Sequence, residues 1–209
     1  MHDLKIETIR INGGRLCLDF VNTRSYPALG GYREFLRGFG DLVLWAQREA
    51  LIEAPDGQRL MANAREEADL ARRALNDAVA LRSALRCLFA SGAATDTLRS
   101  ALDDVTRTIR SAAPTLHLEA RNQSVRYVAA PALDAWLLGP LAISAMELVT
   151  SPDRAHVKIC PGEDCHWLFL DQSRNGTRRW CSMDSCGGKA KARTHYETHR
   201  RPNRSGAAP

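Results

Sequence analysis

The sequence predicts an α+β chain in two parts, a mostly helical N-terminal region with a small β-hairpin and a short C-terminal module that contains paired cysteines. Three observations support this prediction. Apolar residues recur at helical spacing over much of residues 16–150. Two stretches with strand-like alternation, 115–120 and 124–128, flank a turn at 121–123. Four of the six cysteines fall after residue 155.

The elements of the helical region follow from apolar spacing and from end signals. A short strand is expected over 4–11 before a glycine turn, then a helix over 16–23 and a loop over 26–31. Asp41 is expected to cap a helix over 42–51, which Pro55 and its neighbours end. Residues 58–91 predict two helices with a break near 63–67, and 95–111 predict another. A last helix over 132–150 is expected to kink at Pro140.

The four C-terminal cysteines form two pairs with matched spacing. Cys160 and Cys165 enclose four residues, as do Cys181 and Cys186, and fifteen residues separate the pairs. Each short turn can direct two sulfurs at one ion, so the spacing predicts one Zn²⁺ per chain held by four bonds of about 2.3 Å. Four protein ligands leave no open position for a substrate. We therefore expect a structural zinc site rather than a catalytic one.

Histidines offer alternative ligands for the metal. His195 and His199 stand four apart on a predicted helix and could join Cys181 and Cys186 in a two-Cys, two-His site. Eight residues between Cys186 and His195 are fewer than the usual twelve, and the first cysteine pair would have no role. His166, beside Cys165, is a weaker alternative ligand.

The order of cysteine turn, hairpin and helix after residue 156 is that of a treble-clef zinc finger. The residues from Cys160 to Gly187, including Trp167 and the run 178–183, closely resemble the CGNR zinc finger of bacterial transcription regulators. The tetrapeptide that names this finger departs here to Cys-Gly-Gly-Lys at 186–189. Upstream, residues 13–23 and the helix around Trp136 resemble the ABATE domain, which is usually fused to that finger in stress-induced transcription regulators.

The resemblance implies three segments: an ABATE-like sensor domain over 1–152, the zinc finger over 153–202 and a flexible tail over 203–209. It also implies DNA binding. Charge agrees with this, because residues 1–155 hold 19 Lys and Arg against 19 Asp and Glu, whereas residues 156–209 hold 10 against 5. The net charge of +5 therefore lies in the finger and tail, and a basic zinc module predicts a polyanionic partner.

Candidate residues for two binding surfaces follow. Polar residues able to contact phosphates or base edges are Arg174, Asn175, Arg178, Arg179, Lys189, Lys191, Arg193 and Arg200. Some of these cations could instead balance the anionic zinc centre or form a solvated face. Polar groups near a glycine-rich loop that could line an effector pocket are Asp19, Asn22, Arg24 and Arg33. A helix cap or a salt bridge is the alternative role for these four.

The sequence therefore predicts a cytoplasmic, zinc-dependent DNA-binding transcription regulator whose N-terminal domain senses a small effector or forms a homodimer. No signal peptide and no span long enough for a bilayer is visible, and the remaining thiols, Cys17 and Cys87, are isolated in apolar surroundings. A zinc-stabilised protein-interaction module is the main alternative. An enzyme with its site in the N-terminal domain is a third, although the sequence contains no nucleotide-binding glycine motif and no nucleophile elbow.

Overall fold

The computed structural model describes residues 5–28, 30–90, 94–121, 124–129 and 137–199 of the 209-residue chain. The helices in these ranges are α1 Leu16–Val21, α2 Phe39–Arg48, α3 Ala54–Glu66, α4 Ala68–Phe89, α5 Thr95–Ala112, α6 Leu138–Thr150 and α7 Gly188–His199. The strands are β1 Arg24–Ser25, β2 Arg33–Glu34, β3 Leu116–Arg121, β4 Ser124–Ala129, β5 Val157–Ile159 and β6 Leu168–Leu170. The predicted α+β class is thereby confirmed.

Each strand in the described residues pairs with one antiparallel neighbour. β1 pairs with β2 and β5 with β6, so that Val157 lies opposite Leu170. β3 and β4 form the predicted hairpin, in register from Leu116 opposite Ala129 to Arg121 opposite Ser124. The three pairs form separate two-stranded sheets. Helix packing therefore supplies most of the core.

Helix α1 lies at the centre of that core. Cys17, Leu18, Phe20 and Val21 are at most 1% exposed, and α1 packs against α4, α6 and β6. The Phe20 ring lies 5.0 Å from the ring of Trp45 on α2. Leu168 and Leu170 of β6 belong to the same buried cluster. A strand of the cysteine-bearing module is thus part of the hydrophobic core of the helical region.

Several sequence predictions of single elements are confirmed. The helix at 16–23 is α1, the break near 63–67 is the junction of α3 with α4, and the helix at 95–111 is α5. Asp41 acts near its expected place, because its carboxylate accepts hydrogen bonds from the backbone N–H groups of Arg37 and Gly38 at the start of α2. The helix that follows the last cysteine is α7.

Other element predictions are wrong. Residues 5–11 contain a turn at 6–8 and no strand, and the Lys5 carbonyl accepts hydrogen bonds from the backbone amides of Thr8 and Ile9. Pro55 begins α3 instead of ending α2, because a proline in the first helical turn loses no hydrogen bond. Pro140 lies in the first turn of α6 for the same reason, so it marks a helix start and not a kink. The treble-clef order also predicts a strand over 177–181, and no strand forms there.

The limits 1–152 and 153–202 remain predictions, as does the flexible tail. Residues 203–209, Arg200 and the helix segment around Trp136 lie outside the described residues.

Candidate metal centre

Four thiols converge at the base of α7. The Sγ atoms of Cys160, Cys165, Cys181 and Cys186 all lie within 4.8 Å of one another, with Cys165 to Cys181 at 3.6 Å and Cys181 to Cys186 at 3.7 Å. A tetrahedron with bonds of about 2.3 Å has edges of about 3.8 Å. Three of the four residues are buried and Cys186 is half-buried. The arrangement fits one tetrahedral metal ion.

Backbone hydrogen bonds fix the first cysteine pair. The amide of Cys160 donates to the Trp167 carbonyl at 2.8 Å, at the end of the β5–β6 ladder, and the amide of Cys165 donates to the Gly162 carbonyl at 2.9 Å. Gly162 is needed in this turn because a Cβ there would stand 3.0 Å from the Cys186 sulfur. The turn thus brings its own two thiols and the last thiol together.

Cys181 and Cys186 frame the approach to α7. Cys186 lies in a π-helical turn, Met183–Gly187, which continues directly into α7. The direction of α7 is therefore fixed by a turn that contains a ligand. Cysteine turns followed by a helix are part of the order that the sequence predicted for a treble-clef finger, although the strand over 177–181 is missing.

The thiols of the cluster compete for protons through the hydrogen bonds between them. The hydrogen bond with Cys165 lowers the pKa of Cys160, whereas the bond with Cys160 raises the pKa of Cys165 and that of Cys181. A divalent ion removes this competition, because it stabilises all four thiolates at once.

The alternative histidine ligands are not part of the thiol cluster. The described cluster contains cysteines alone. The His166 ring nitrogen Nδ1 contacts the Tyr26 carbonyl at 2.5 Å, and the rings of His195 and His199 stack on each other at 4.0 Å. Geometry thus favours the four-cysteine set over both alternatives.

Arg178 is built into the finger. Its guanidinium donates to the carbonyls of Leu170, Trp180, Cys181 and Asn12, and it lies 4.5 Å from the centroid of the Phe169 ring. Replacing it would therefore disturb the folding of the finger as well as its charge. The contacts favour a structural role over a role in binding phosphate.

The other residues predicted to bind nucleic acid are exposed wherever the structure describes them. Lys158 anchors the loop with Arg174 and Asn175, since its Nζ binds the Asp171 carboxylate and the Gly176 carbonyl, each at 2.6 Å. The ion pair with Lys158 and a hydrogen bond from Ser173 hold the pKa of Asp171 well below its usual range. The remaining exposed residues are Arg179, Lys189, Lys191 and Arg193. Arg179 lies 5.0 Å from the Trp180 ring centroid, and Arg193 forms an ion pair with Glu163.

All four predicted effector residues have polar partners within the chain, Arg33 through an ion pair with Asp164 at 3.9 Å. The Asp19 carboxylate accepts a hydrogen bond from the Gly13 amide at 2.7 Å, and burial raises its pKa. The Asn22 side chain pairs with both backbone polar groups of Leu168, each at 2.8 Å. Arg24 forms an ion pair with Glu34 at 2.7 Å. These contacts match the alternative of caps and salt bridges.

A buried ion pair that the sequence did not reveal supports the same region. Arg82 is 2% exposed and binds both carboxylate oxygens of Glu34 as well as the Thr23 hydroxyl. Although burial opposes ionisation, Arg82 and Arg24 lower the pKa of Glu34. The spacing of 48 residues between Arg82 and Glu34 gives no local signal for this pair.

The segment that precedes α1 also forms hydrogen bonds with the finger. The side-chain amide of Asn12 donates to the Cys181 carbonyl at 2.9 Å, and the Gly13 carbonyl accepts from the backbone amide of Leu170 at 2.8 Å. Arg86 on α4 donates to the His166 carbonyl at 2.6 Å. Residues outside the finger therefore hydrogen-bond to Cys181 in the second cysteine pair and to His166, which follows the first pair.

Fold and site together define a class of protein: a mostly helical chain whose C-terminal zinc-finger-type module holds a four-thiol metal centre. The model of the CGNR zinc finger matches residues 156–199. The model of the ABATE family, described as a putative stress-induced transcription regulator, matches residues 14–152. That match covers more than half of the 209 residues, so the chain belongs to the ABATE family, and its C-terminal module is a CGNR zinc finger.

Both resemblances seen in the sequence are thus confirmed. Neither family is described as a family of enzymes. No curated protein matches the chain significantly. Within the described residues, no helix combines the length and apolar character that crossing a membrane requires.

Proposed function

We propose that this chain is a transcription regulator that binds duplex DNA through its zinc-loaded finger. The helical region, residues 1–152, would hold the finger in place and would sense an effector or dimerise. The observation that carries the proposal is helix α7, which begins at the metal centre and has no buried residue.

Packing against the core does not explain why α7 is helical. Every residue from Lys191 to His199 is exposed, so no apolar stripe attaches it to the core. A helix of 12 residues that is polar on all sides is marginal by itself in water. The metal-bearing turn anchors its first turn, and the rest remains available to a partner. Zinc fingers commonly place such a helix in the DNA major groove.

Charge favours DNA as that partner. Lys189 and Lys191 on α7 and Arg174 on the preceding loop make no hydrogen bond or ion pair with any described residue. Of these, Lys191 and Arg174, together with Arg179, are the cations that we assign to phosphate contacts. Asn175 remains a candidate for a base edge or a phosphate.

Zinc is the metal that the donor set favours. Thiolate ligands in a tetrahedral arrangement select zinc over magnesium or calcium, which bind oxygen atoms. Elemental analysis of the native protein should find about one zinc per chain. Cys181→Ser should lose most of it, whereas Cys87→Ser, a thiol outside the cluster, should retain it. Metal-free native protein would contradict the assignment.

DNA binding is tested with labelled duplex at several salt concentrations. Affinity should fall as salt rises, with a slope of about −0.9 per phosphate contacted. The variant Arg179→Gln with Lys191→Gln removes two exposed cations without touching a ligand. It should flatten the slope by about two units and keep its zinc.

The matched control is Arg65→Gln with Arg73→Gln, which removes two exposed cations from α3 and α4. This control should bind DNA like the wild type. Equal slopes for all three proteins, or no binding at low salt, would favour the protein-interaction alternative. If DNA binds, selection from random sequences identifies the operator.

A further inference from the structure

A cavity of about 490 Å³ lies where the helical region meets the finger. Its walls come from the N-terminal segment, the β1–β2 hairpin, the first cysteine turn and the start of α7. This volume is typical of sites for small molecules. The sequence placed an effector site near the glycine-rich loop, and of the residues named for it only Arg33 lines this cavity.

Aromatic side chains form a rigid part of the wall. Phe35 is 3% exposed, and its ring meets the Trp167 ring edge-to-face at 6.3 Å. Trp180 is held against the turn before α7, since a Cβ at Gly187 would stand 3.3 Å from its ring. All three side chains line the cavity. Fixed aromatic surfaces of this kind favour a flat, apolar group in the ligand.

Charges of both signs also line the cavity. Four cations and three carboxylates surround it: Arg10, Arg33, Lys189, Arg193, Glu163, Asp164 and Asp184. Arg193 pairs with Glu163, and Arg33 lies 3.9 Å from Asp164. Arg10 donates to the Ser182 hydroxyl at 2.8 Å.

Lys189 and Asp184 are the two charged residues of the cavity wall that have not yet been assigned a partner. Neither makes a hydrogen bond or ion pair with any described residue, and both face the cavity from the segment that leads into α7. Three of the four thiols, those of Cys165, Cys181 and Cys186, lie at the same wall. Thiolates bound to a divalent metal keep a net negative charge, which favours a cationic group near them.

We propose that this cavity binds a small aromatic molecule that carries both a carboxylate and an amine. The ring packs against the wall of Phe35, Trp167 and Trp180. The carboxylate pairs with Lys189, and the amine pairs with Asp184 beside the thiolates. A ligand of this class satisfies the unpaired charges of both signs and the aromatic wall together.

The test uses the full-length, zinc-loaded chain without DNA and three probes of one ring type. L-phenylalanine carries both charged groups, 3-phenylpropionate lacks the amine, and 2-phenylethylamine lacks the carboxylate. Calorimetry and tryptophan fluorescence should show saturable binding of L-phenylalanine. Each truncated probe should bind about fivefold to tenfold more weakly.

Variants assign each charge. Lys189→Gln should remove the advantage of L-phenylalanine over 2-phenylethylamine, and Asp184→Asn should remove its advantage over 3-phenylpropionate. The controls Lys191→Gln and Glu197→Gln change exposed charges on α7 that do not line the cavity, so they should bind L-phenylalanine within about twofold of wild type. Ala190→Trp fills the cavity and should abolish binding of every probe while zinc content stays at one per chain.

Absence of saturable binding by L-phenylalanine would overturn the proposal. Equal losses in Lys189→Gln and Lys191→Gln would overturn it too, because they would reveal general charge attraction in place of a site. DNA is absent from this experiment, so failure here leaves the DNA-binding proposal intact. A protein that bound the probes but no duplex would contradict only the latter.

Discussion

Helices α5 and α7 are both rich in charged side chains, and they use them differently. In α5, Arg99 and Arg107 each pair with an aspartate three residues earlier, at 3.2 and 2.8 Å, while Ala101 and Val105 face the core. In α7 no residue is buried, and two of its three lysines and arginines make no ion pair with any described residue.

The difference indicates what each charge is for. In the helical region, neighbouring opposite charges cancel, so the exposed face is solvated without attracting a polyanion. In the finger, cations outnumber carboxylates and several remain unpaired on a helix whose base is fixed by the metal centre. The first pattern keeps the surface solvated, and the second is the one that we propose serves a partner.

The largest effect is expected from Cys181→Ser. Loss of the metal should unfold the finger and should also destabilise the helical region, because Leu168 and Leu170 lie in its core. A loss of several kcal/mol corresponds to a fall of about 10 °C or more in the thermal midpoint of a chain this long. Circular dichroism of the variant and of Cys87→Ser measures this. A helical region that melts unchanged would show that the two regions are independent.

Asn22→Ala should cost about 2–4 kcal/mol of unfolding free energy. The change leaves a buried backbone amide and carbonyl of Leu168 without partners, each at a cost of about 1–3 kcal/mol. Asn63→Ala, on the exposed face of α3, is the control and should change stability little. Urea unfolding followed by tryptophan fluorescence gives both values. Equal stability of the two variants would remove Asn22 as the link between the regions.

Glu49→Gln tests the rule that unpaired charge is costly inside the helical region. Burial, and then the nearby Asp19 carboxylate, raise the pKa of Glu49 from 4.5 to about 7. One of its carboxylate oxygens is buried without a hydrogen-bond partner among the described residues.

A raised carboxyl pKa means that the folded state holds the proton more tightly than the unfolded state. The contribution of protonated Glu49 to folding stability is therefore fully present below about pH 4.5, and this contribution is lost as the pH rises through 7. Glu49→Gln should be about 1–2 kcal/mol more stable than wild type at pH 8 and nearly equal at pH 4.5. Glu66→Gln, which is exposed on α3, should show no such difference. A constant gap at both pH values would point to packing instead of ionisation.

The smallest effects are expected from single surface charges. Replacing one of them should change stability little, whether or not it changes DNA binding. Arg99→Gln breaks an exposed pair and should change stability by less than about 0.5 kcal/mol, with DNA affinity unchanged. Lys191→Gln should change stability equally little, yet it should weaken DNA binding at low salt. Thermal unfolding and duplex titration of the two proteins compare them directly. Equal DNA affinity of both would contradict the partner role of α7.

The sequence predicted the elements whose signals are local. Apolar spacing located α1, α4 and α5, and strand alternation located the β3–β4 hairpin. The roles of Pro55 and Pro140 were predicted wrongly. A proline in the first turn of a helix cannot be distinguished by residue type alone from one that ends or bends a helix. Ile6 and Ile9 were assigned to a strand, although a turn buries both equally well.

By itself, the sequence determined the α+β class, the family, the four-cysteine set and the concentration of positive charge after residue 155. These depend on spacings of a few residues or on composition, which folding does not alter. Tertiary structure alone decided that Asn22 bonds to Leu168, that Arg178 is enclosed by backbone carbonyls and that Lys189 faces a cavity. The partners of Asn22 lie 146 residues away, so no local pattern could identify them. A polar side chain acquires its role from whichever unsatisfied group the fold brings beside it, and that depends on the packing of the whole chain.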